Sequence, residues 1–349
     1  MKIAVVMTTI HNPENLKMIQ RSLSNEDHIV IATDRKTPFI QPQQNVHIMD
    51  IPKQIAFCKN PIGVPFDCIQ RRNMGYLYAI KQIDPDVIIT IDDDNFPPTN
   101  WVKEHVSHLG QTTGDVYNFT TNIIDELLKI SCDYHEHCFN VVHRGVCFSQ
   151  ALEFNQENKK YEILEKMEVN VGVNAGMWAG DPDINAYDRI LHPNIKSADD
   201  DHLSLIVEPK KWFHPFNSQN TSFVRALFPT LFLVPMYAHF YGYKFGRFDD
   251  IWQSYVCQKI MAHHNMCVRF GSPVVKQNRN EHNVIRDLEE EYPGLLFTSK
   301  FIEALNSITL LCRSPLENMY EIADIFLLSK EEILNYVGQK MLWWLTELK

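Results

Sequence analysis

Residues 87 to 95 read V-I-I-T-I-D-D-D-N. An apolar, β-branched run of strand length ends in three consecutive carboxylates, Asp92, Asp93 and Asp94. Side chains alternate across a strand, so Asp92 and Asp94 share a direction as the chain leaves the sheet. Three adjacent carboxylates repel one another unless a cation or hydrogen-bond donors offset the charge. Their oxygens suit hard cations such as Mg²⁺ or Mn²⁺, which complete their shell with diphosphate oxygens and water. In an open α/β sheet, ligands sit at the carboxyl ends of strands. A buried strand delivering Asp-x-Asp there is what chemistry on a nucleoside-diphosphate sugar requires. The plainer alternative is a polar turn capping a strand.

The first hundred residues alternate strand and helix. Ile3 to Thr9 reads as a strand, Pro13 to Leu23 as a helix, His28 to Thr33 as a second strand and Val46 to Ile51 as a third. Cys68 to Ile83 reads as a helix with Met74, Leu77 and Ile80 on its apolar face, before the strand Val87 to Ile91. This rhythm predicts an α/β fold with a mostly parallel, Rossmann-like sheet wrapped by helices. The middle, roughly 110 to 245, reads as irregular and rich in Asn, Pro and aromatics, the composition of the substrate side of a cleft.

The tail differs. Ser314-Pro315-Leu316-Glu317 has an N-cap Ser, Pro at the first helical position and Glu at the third, and Ser329-Lys330-Glu331-Glu332 repeats the capping box. Two helices are expected, from about 315 and about 330. Their apolar stripes fit packing against the main domain or against a second copy of the chain. A main domain over 1–300 and a C-terminal helical extension over 301–349 follow.

The 349 residues carry a net charge of −10, which argues against a nucleic-acid partner while leaving room for a local basic pocket. Eight cysteines form no repeated pair pattern, so reduced thiols and a cytoplasmic setting are expected. Cys132 to Cys138 crowds its Cys and His residues too closely for the usual zinc spacings. The longest apolar stretch, Ala226 to Met236, is too short to span a membrane and contains two prolines.

Asp249 and Asp250 precede Ile251, Trp252, Tyr255, Val256 and Ile260, which fall at helical spacing. The two carboxylates therefore open a helix, where the dipole favours negative charge. They are either caps or a general base facing an acceptor hydroxyl, with Arg247 beside them for phosphate or carboxylate pairing. Trp178, between Gly176 and Gly180, offers a flat face of the kind that stacks on a sugar, or is a core residue in a structural turn. Asp181 and Asp183 make the following loop acidic. Phe216 to Asn220 clusters side-chain amides that suit sugar hydroxyls or an ordinary polar loop.

From the first strand to about residue 295 the chain resembles the reversibly glycosylated polypeptides, the UDP-arabinopyranose mutase family, and the related STELLO-type glycosyltransferase domains. The resemblance rests on six strings in order: Asp67 to Tyr76, I-D-D-D-N, His143-Arg144-Gly145 with Phe148-Ser149, Gly176-Met177-Trp178 with Asp181-Pro182-Asp183, Asn220 with Phe223, and Gly246 to Trp252. It implies a GT-A fold and a metal-dependent glycosyltransferase. The donor would be a nucleoside-diphosphate sugar, most often UDP-linked, and the acceptor is open. It implies Mn²⁺ or Mg²⁺ held by Asp92 and Asp94, with His282 the nearest substitute, as a metal or phosphate ligand, for the family's His after the last strand. Donor-binding roles fall to Thr8, Thr9 and Asp34 near the nucleoside, to Arg71 and Arg72, which would face the diphosphate or support the metal loop, and to Asp93, Trp178, Asp181 and Asn220. Catalytic roles fall to Asp249, Asp250 and Arg247. Two departures stand out. The family's reversibly glycosylated Arg aligns with Ala151, and no Arg occurs between Arg144 and Arg189. The family's His after the last strand aligns near Gln277. A mutase using another nucleophile, or a non-catalytic nucleotide-sugar-binding partner of another glycosyltransferase, are the alternatives.

Overall fold

The computed structural model describes residues 1–60, 63–118, 130–131, 144–146, 162–197, 204–208, 214–279 and 283–349. Ala151, His282 and the Cys132–Cys138 segment lie outside the described residues. The N-terminal half of the sheet is built from β1 (Ile3–Thr9), β2 (His28–Thr33), β3 (Val46–Met49) and β4 (Val87–Ile91). These run parallel in the order β3-β2-β1-β4. All five residues of β4 are buried, as the unbroken apolar run requires of a strand covered on both faces. Helices α1 (Leu16–Ser22), α2 (Ile51–Phe57) and α3 (Arg72–Tyr78) connect them. A single 3₁₀ turn over Ile69–Arg71 leads into α3, and a π turn over Ala79–Ile83 closes it.

The other half of the sheet is mixed. After β5 (Asn95–Phe96) and α4 (Trp101–Ser107) come β6 (Gly110–Asn118), β7 (Ile130–Ser131) and the long β8 (Glu162–Gly180). Then follow α5 (Ala186–Leu191), β9 (Lys196–Ser197), β10 (Leu205–Val207) and β11 (Asn220–Val224). A small hairpin of β12 (His239–Phe240) and β13 (Tyr243–Lys244) precedes α6 (Asp249–His263) and β14 (Met266–Gln277). The order continues β4-β11-β8-β6-β10-β14-β5, with β8 also paired to β14. The stretch expected to be irregular thus carries half the sheet. In β8, Val169, Val171, Val173, Ala175 and Met177 alternate with Asn170, Gly172, Asn174, Gly176 and Trp178, a period of two disguised by turn-forming residue types.

Three helices complete the chain: α7 (Val284–Ser307), α8 (Pro315–Leu327) and α9 (Glu332–Leu348). The boundary expected at 300/301 falls inside α7. Phe301, Met319, Phe326, Trp344 and Leu345 belong to the same continuous core as β1 and β4, so the C-terminal helices pack on the main body. The Ser314 cap forms, its hydroxyl accepting from Glu317 N. The second box does not: Ser329 Oγ accepts from Glu331 N, and α9 starts at Glu332. Cys58, Cys68, Cys257, Cys267 and Cys312 are free thiols. Among the described residues, no helix is long and apolar enough to cross a membrane.

Candidate active site

The carboxyl ends of β1, β2 and β4 and the start of α6 open onto one cavity of about 450 Å³. Thr8, Thr9, Asp34, Arg72, Asp92, Asp93, Asp94, Arg247, Asp249 and Asp250 all line it, so residues far apart in sequence are brought together. Among the described residues nine carboxylates and four guanidinium groups share the wall, a negative excess that suits added positive charge.

The acidic turn is pinned from both sides. Asn15 Nδ2 donates to the carbonyls of Asp92 at 2.8 Å and Asn95 at 2.7 Å. Asn278 N donates to Asp94 O at 3.0 Å. The Asp92 carboxylate pairs with Arg72, which is 1% exposed and also donates to Ser218 O at 2.8 Å and Ser218 Oγ at 2.7 Å. Burial opposes the Arg72 charge, but Asp92 outweighs it and holds the guanidinium protonated. Arg72 therefore supports the acidic turn, and Asp92, expected as a metal ligand, is committed to Arg72. Asp93 accepts from Thr9 Oγ1. Asp94 lines the cavity further along the turn. The donor set is all oxygen, the chemistry Mg²⁺ and Mn²⁺ prefer. Among the described residues no three His, Cys, Asp or Glu side chains form a complete cation site. A cation that binds one or two carboxylates and fills its shell from a diphosphate fits this turn.

Opposite stands the start of α6, a helix buried on nearly every face. Arg144 organises it. Its Nε donates to Asp183 Oδ1 at 2.9 Å and Oδ2 at 3.1 Å, and its Nη2 to Asp250 Oδ1 at 3.1 Å and Oδ2 at 3.2 Å. Nη1 donates to the Arg247 carbonyl. Asp250 also accepts from Ser218 N at 3.1 Å. Arg247 pairs with Glu291 at 2.9 Å and Asp287 at 3.3 Å. Next to Arg144, Gly145 has φ +88°, and a Cβ there would lie 2.4 Å from Ile251 Cγ2. Only glycine lets the Arg144 turn sit against α6 this closely.

Asp249 differs from Asp250. It is 3% exposed, and its Oδ2 is buried without a hydrogen-bond partner among the described residues. Burial, reinforced by the neighbouring Asp250 charge and opposed by Arg144, pushes its carboxyl up to about 7. A carboxylate tuned to that value is suited to proton transfer near neutral pH. Its position depends on Phe248, whose ring lies where a Cβ on Gly294 of α7 would stand, 2.3 Å away. Gly294→Ala should therefore cost about 1–3 kcal/mol by overpacking. Chemical denaturation checks this, and an unchanged midpoint would show that Phe248 yields freely.

Several expected residues lie off this wall. Trp178 is 1% exposed in the core and is not among the described residues that line this cavity. Asn220 is fully buried. It accepts from Trp101 Nε1 at 2.8 Å and donates to Pro273 O at 2.8 Å and Met177 O at 3.0 Å, tying strands together. In its loop, Asn217 donates to Asp183 at 2.7 Å, and Gln219 reaches the cavity. Asp181 pairs with Lys196 at 2.6 Å and Arg189 at 3.6 Å. Arg71 donates to Gln54 and to Val64 O at 3.0 Å, bracing the loop before α3. The physical reason is common to all of them: each satisfies its polar atoms or buries its ring within the protein. Arg144, Asp183, Gln277 and Arg279 line the cavity without having been expected there. Arg144 carried a sequence signal, an Arg directly before a Gly. Arg279 carried none.

A family model described as reversibly glycosylated polypeptide matches residues 2–348. UDP-arabinopyranose mutase 2 of Arabidopsis thaliana is 23% identical over 311 residues, covering 85% of this chain and 76% of that protein. UDP-arabinopyranose mutase 3 of the same plant is 24% identical over 336 residues, covering 92% and 83%. A crystal structure of glucosyl-3-phosphoglycerate synthase from Mycobacterium tuberculosis, in complex with Mn²⁺ and UDP-glucose, overlays with a TM-score of 0.40 and 10% identity. That overlay covers 85% of this chain and 78% of the other.

Proposed function

The chain belongs to the reversibly glycosylated polypeptide family, and from that premise we propose that it is an enzyme acting on a nucleoside-diphosphate sugar, UDP-linked, whose sugar it transfers to an acceptor hydroxyl. The observation that carries this reading is Asp249, a buried carboxylate raised to about 7 across one cavity from the Asp92–Asp94 turn. Its Oδ2 takes the proton of the acceptor hydroxyl as that oxygen bonds to the anomeric carbon. The anomeric bond to the diphosphate breaks, and the nucleoside diphosphate leaves with the electron pair. Arg144 holds Asp250 and the Arg247 carbonyl in place, so the base is fixed before the acceptor arrives. Thr8, Thr9 and Asp34, at the ends of β1 and β2, face the nucleoside side of the cavity. A divalent cation, Mg²⁺ or Mn²⁺, held by Asp94 would supply Lewis-acid stabilisation to the leaving diphosphate.

Asp94→Asn should lower turnover by at least about a hundred-fold while leaving the denaturation midpoint in place. Unchanged turnover in excess EDTA would remove the metal from the mechanism.

A second reading, a pyranose–furanose mutase, is favoured by the names of the relatives. Against it stands Ala151 at the position the resemblance gives to a sugar-carrying Arg. A guanidinium is protonated and a poor nucleophile unless a site activates it, so another Arg does not take over by chance. Incubation with labelled UDP-sugars separates the two. Transfer predicts a glycoside on an added acceptor, or free sugar without one, and no sugar adduct in the intact-protein mass. A stoichiometric one-sugar adduct would replace transfer by the mutase.

A further inference from the structure

β14 ends at Gln277, and Arg279 follows two residues on; both line the cavity. Gln277 is 4% exposed, and its Oε1 is buried with no hydrogen-bond donor among the described residues. Arg279 Nε is likewise buried with no acceptor among the described residues, where the side chain pairs through Nη2 with Asp287 Oδ2 at 3.4 Å. Buried polar atoms are almost always satisfied in native proteins, because leaving one bare forfeits its hydration for nothing. Here one bare acceptor and one bare donor stand within three residues on the wall of one cavity.

Their chemistry narrows the ligand. A phosphate oxygen only accepts, so it would suit Arg279 and leave Gln277 Oε1 bare. A cation would suit Oε1 but is repelled by the guanidinium. A hydroxyl both donates and accepts, so hydroxyl groups satisfy both atoms. The pair also stands beside the acidic turn: Gln277 is opposite Asn95 in the β14–β5 register, and Asn278 N donates to Asp94 O at 3.0 Å. We infer that Gln277 and Arg279 read hydroxyl groups of the sugar moiety of the bound nucleotide sugar, and so set which sugar is accepted. This rests on the nucleotide-sugar reading above.

The test is calorimetric titration of the native chain, Gln277→Met and Arg279→Met with UDP, with a panel of UDP-sugars and with deoxy analogues of whichever sugar binds best. Each variant should keep its affinity for UDP within about two-fold and lose about ten-fold or more for the UDP-sugar, the scale of a hydrogen bond whose partner is left unpaired. On the native chain one deoxy analogue should show the same loss, and Gln277→Met should erase that difference. Gln277→Met should also raise the ligand-free denaturation midpoint, because it removes a bare buried acceptor without changing volume much. Equal losses for UDP and UDP-sugars would overturn the inference in favour of diphosphate binding, and unchanged affinities would overturn it outright. If the native chain binds none of the UDP-sugars, the reading beneath it fails too, an outcome distinct from the other two.

Discussion

Asp249→Asn should reduce turnover by about 10²–10⁴-fold, the range a positioned general base supplies, and should do so in a protein more stable at pH 8 than the native chain. Both halves follow from one environment. Burial and the adjacent Asp250 charge push the Asp249 carboxyl up to about 7. Between the ordinary carboxylate value and about 7, the folded protein holds a proton that the unfolded chain has lost. Stability from this group is therefore complete below about pH 4 and falls as pH rises through 7. An amide has no such slope, so the variant should gain on the order of 4 kcal/mol relative to the native chain by pH 8, and nothing at pH 4. Native turnover should climb with pH through about 7, as the base becomes ionised. Donor affinity should stay close to native, because a base acts in the transition state. A collapse of donor binding with little loss of turnover at saturation would make Asp249 a donor ligand.

How much of this was legible in the sequence depended on whether local pattern and final environment agreed. V-I-I-T-I is apolar at every position because β4 is covered on both faces, and it reads as a strand on sight. Asp249 and Asp250 announce α6 because acidic residues and the apolar spacing after them point to the same helix start. In β8 pattern and environment disagree. Asn170, Gly172, Asn174 and Gly176 are turn-forming types, yet they sit in the sheet interior where neighbours leave no room for more. A Cβ on Gly176 would stand 2.3 Å from Asn220 Nδ2, and one on Gly172 2.7 Å from Leu227 Cδ1. Helix α7 was masked the same way. Pro293-Gly294 is ordinary turn punctuation, but here it lies inside the helix, and Gly294 is needed for the Phe248 ring. At the site, carboxylate clusters were visible because charge in a run is visible. Trp178 and Asn220 were not distinguishable from ligand-facing residues, since burial, which decides their role, is a property of the folded chain.

The largest loss of stability should come from Arg144→Met. Arg144 is 6% exposed and carries the only charge in bonding contact with both Asp183 and Asp250 among the described residues. Burial disfavours its charge, yet the two carboxylates outweigh that and keep it protonated. Methionine fills much of the volume, so the packing change is modest. What remains are two buried carboxylates without the Arg144 guanidinium, with Asn217 Nδ2 at 2.7 Å from Asp183 and Ser218 N at 3.1 Å from Asp250. Breaking a buried pair from one side costs about 3–5 kcal/mol, most of it the cost of the orphaned charge. Asp183→Asn in the same chain should restore part of that loss, with the double variant less impaired than the sum of the single changes. Lysine should not substitute, since one ammonium cannot span two carboxylates and the Arg247 carbonyl as the planar guanidinium does. Denaturation of the native chain and these variants decides the matter: a deficit untouched by Asp183→Asn would mean that Arg144 acts through its packing and that the charge network does not hold the start of α6.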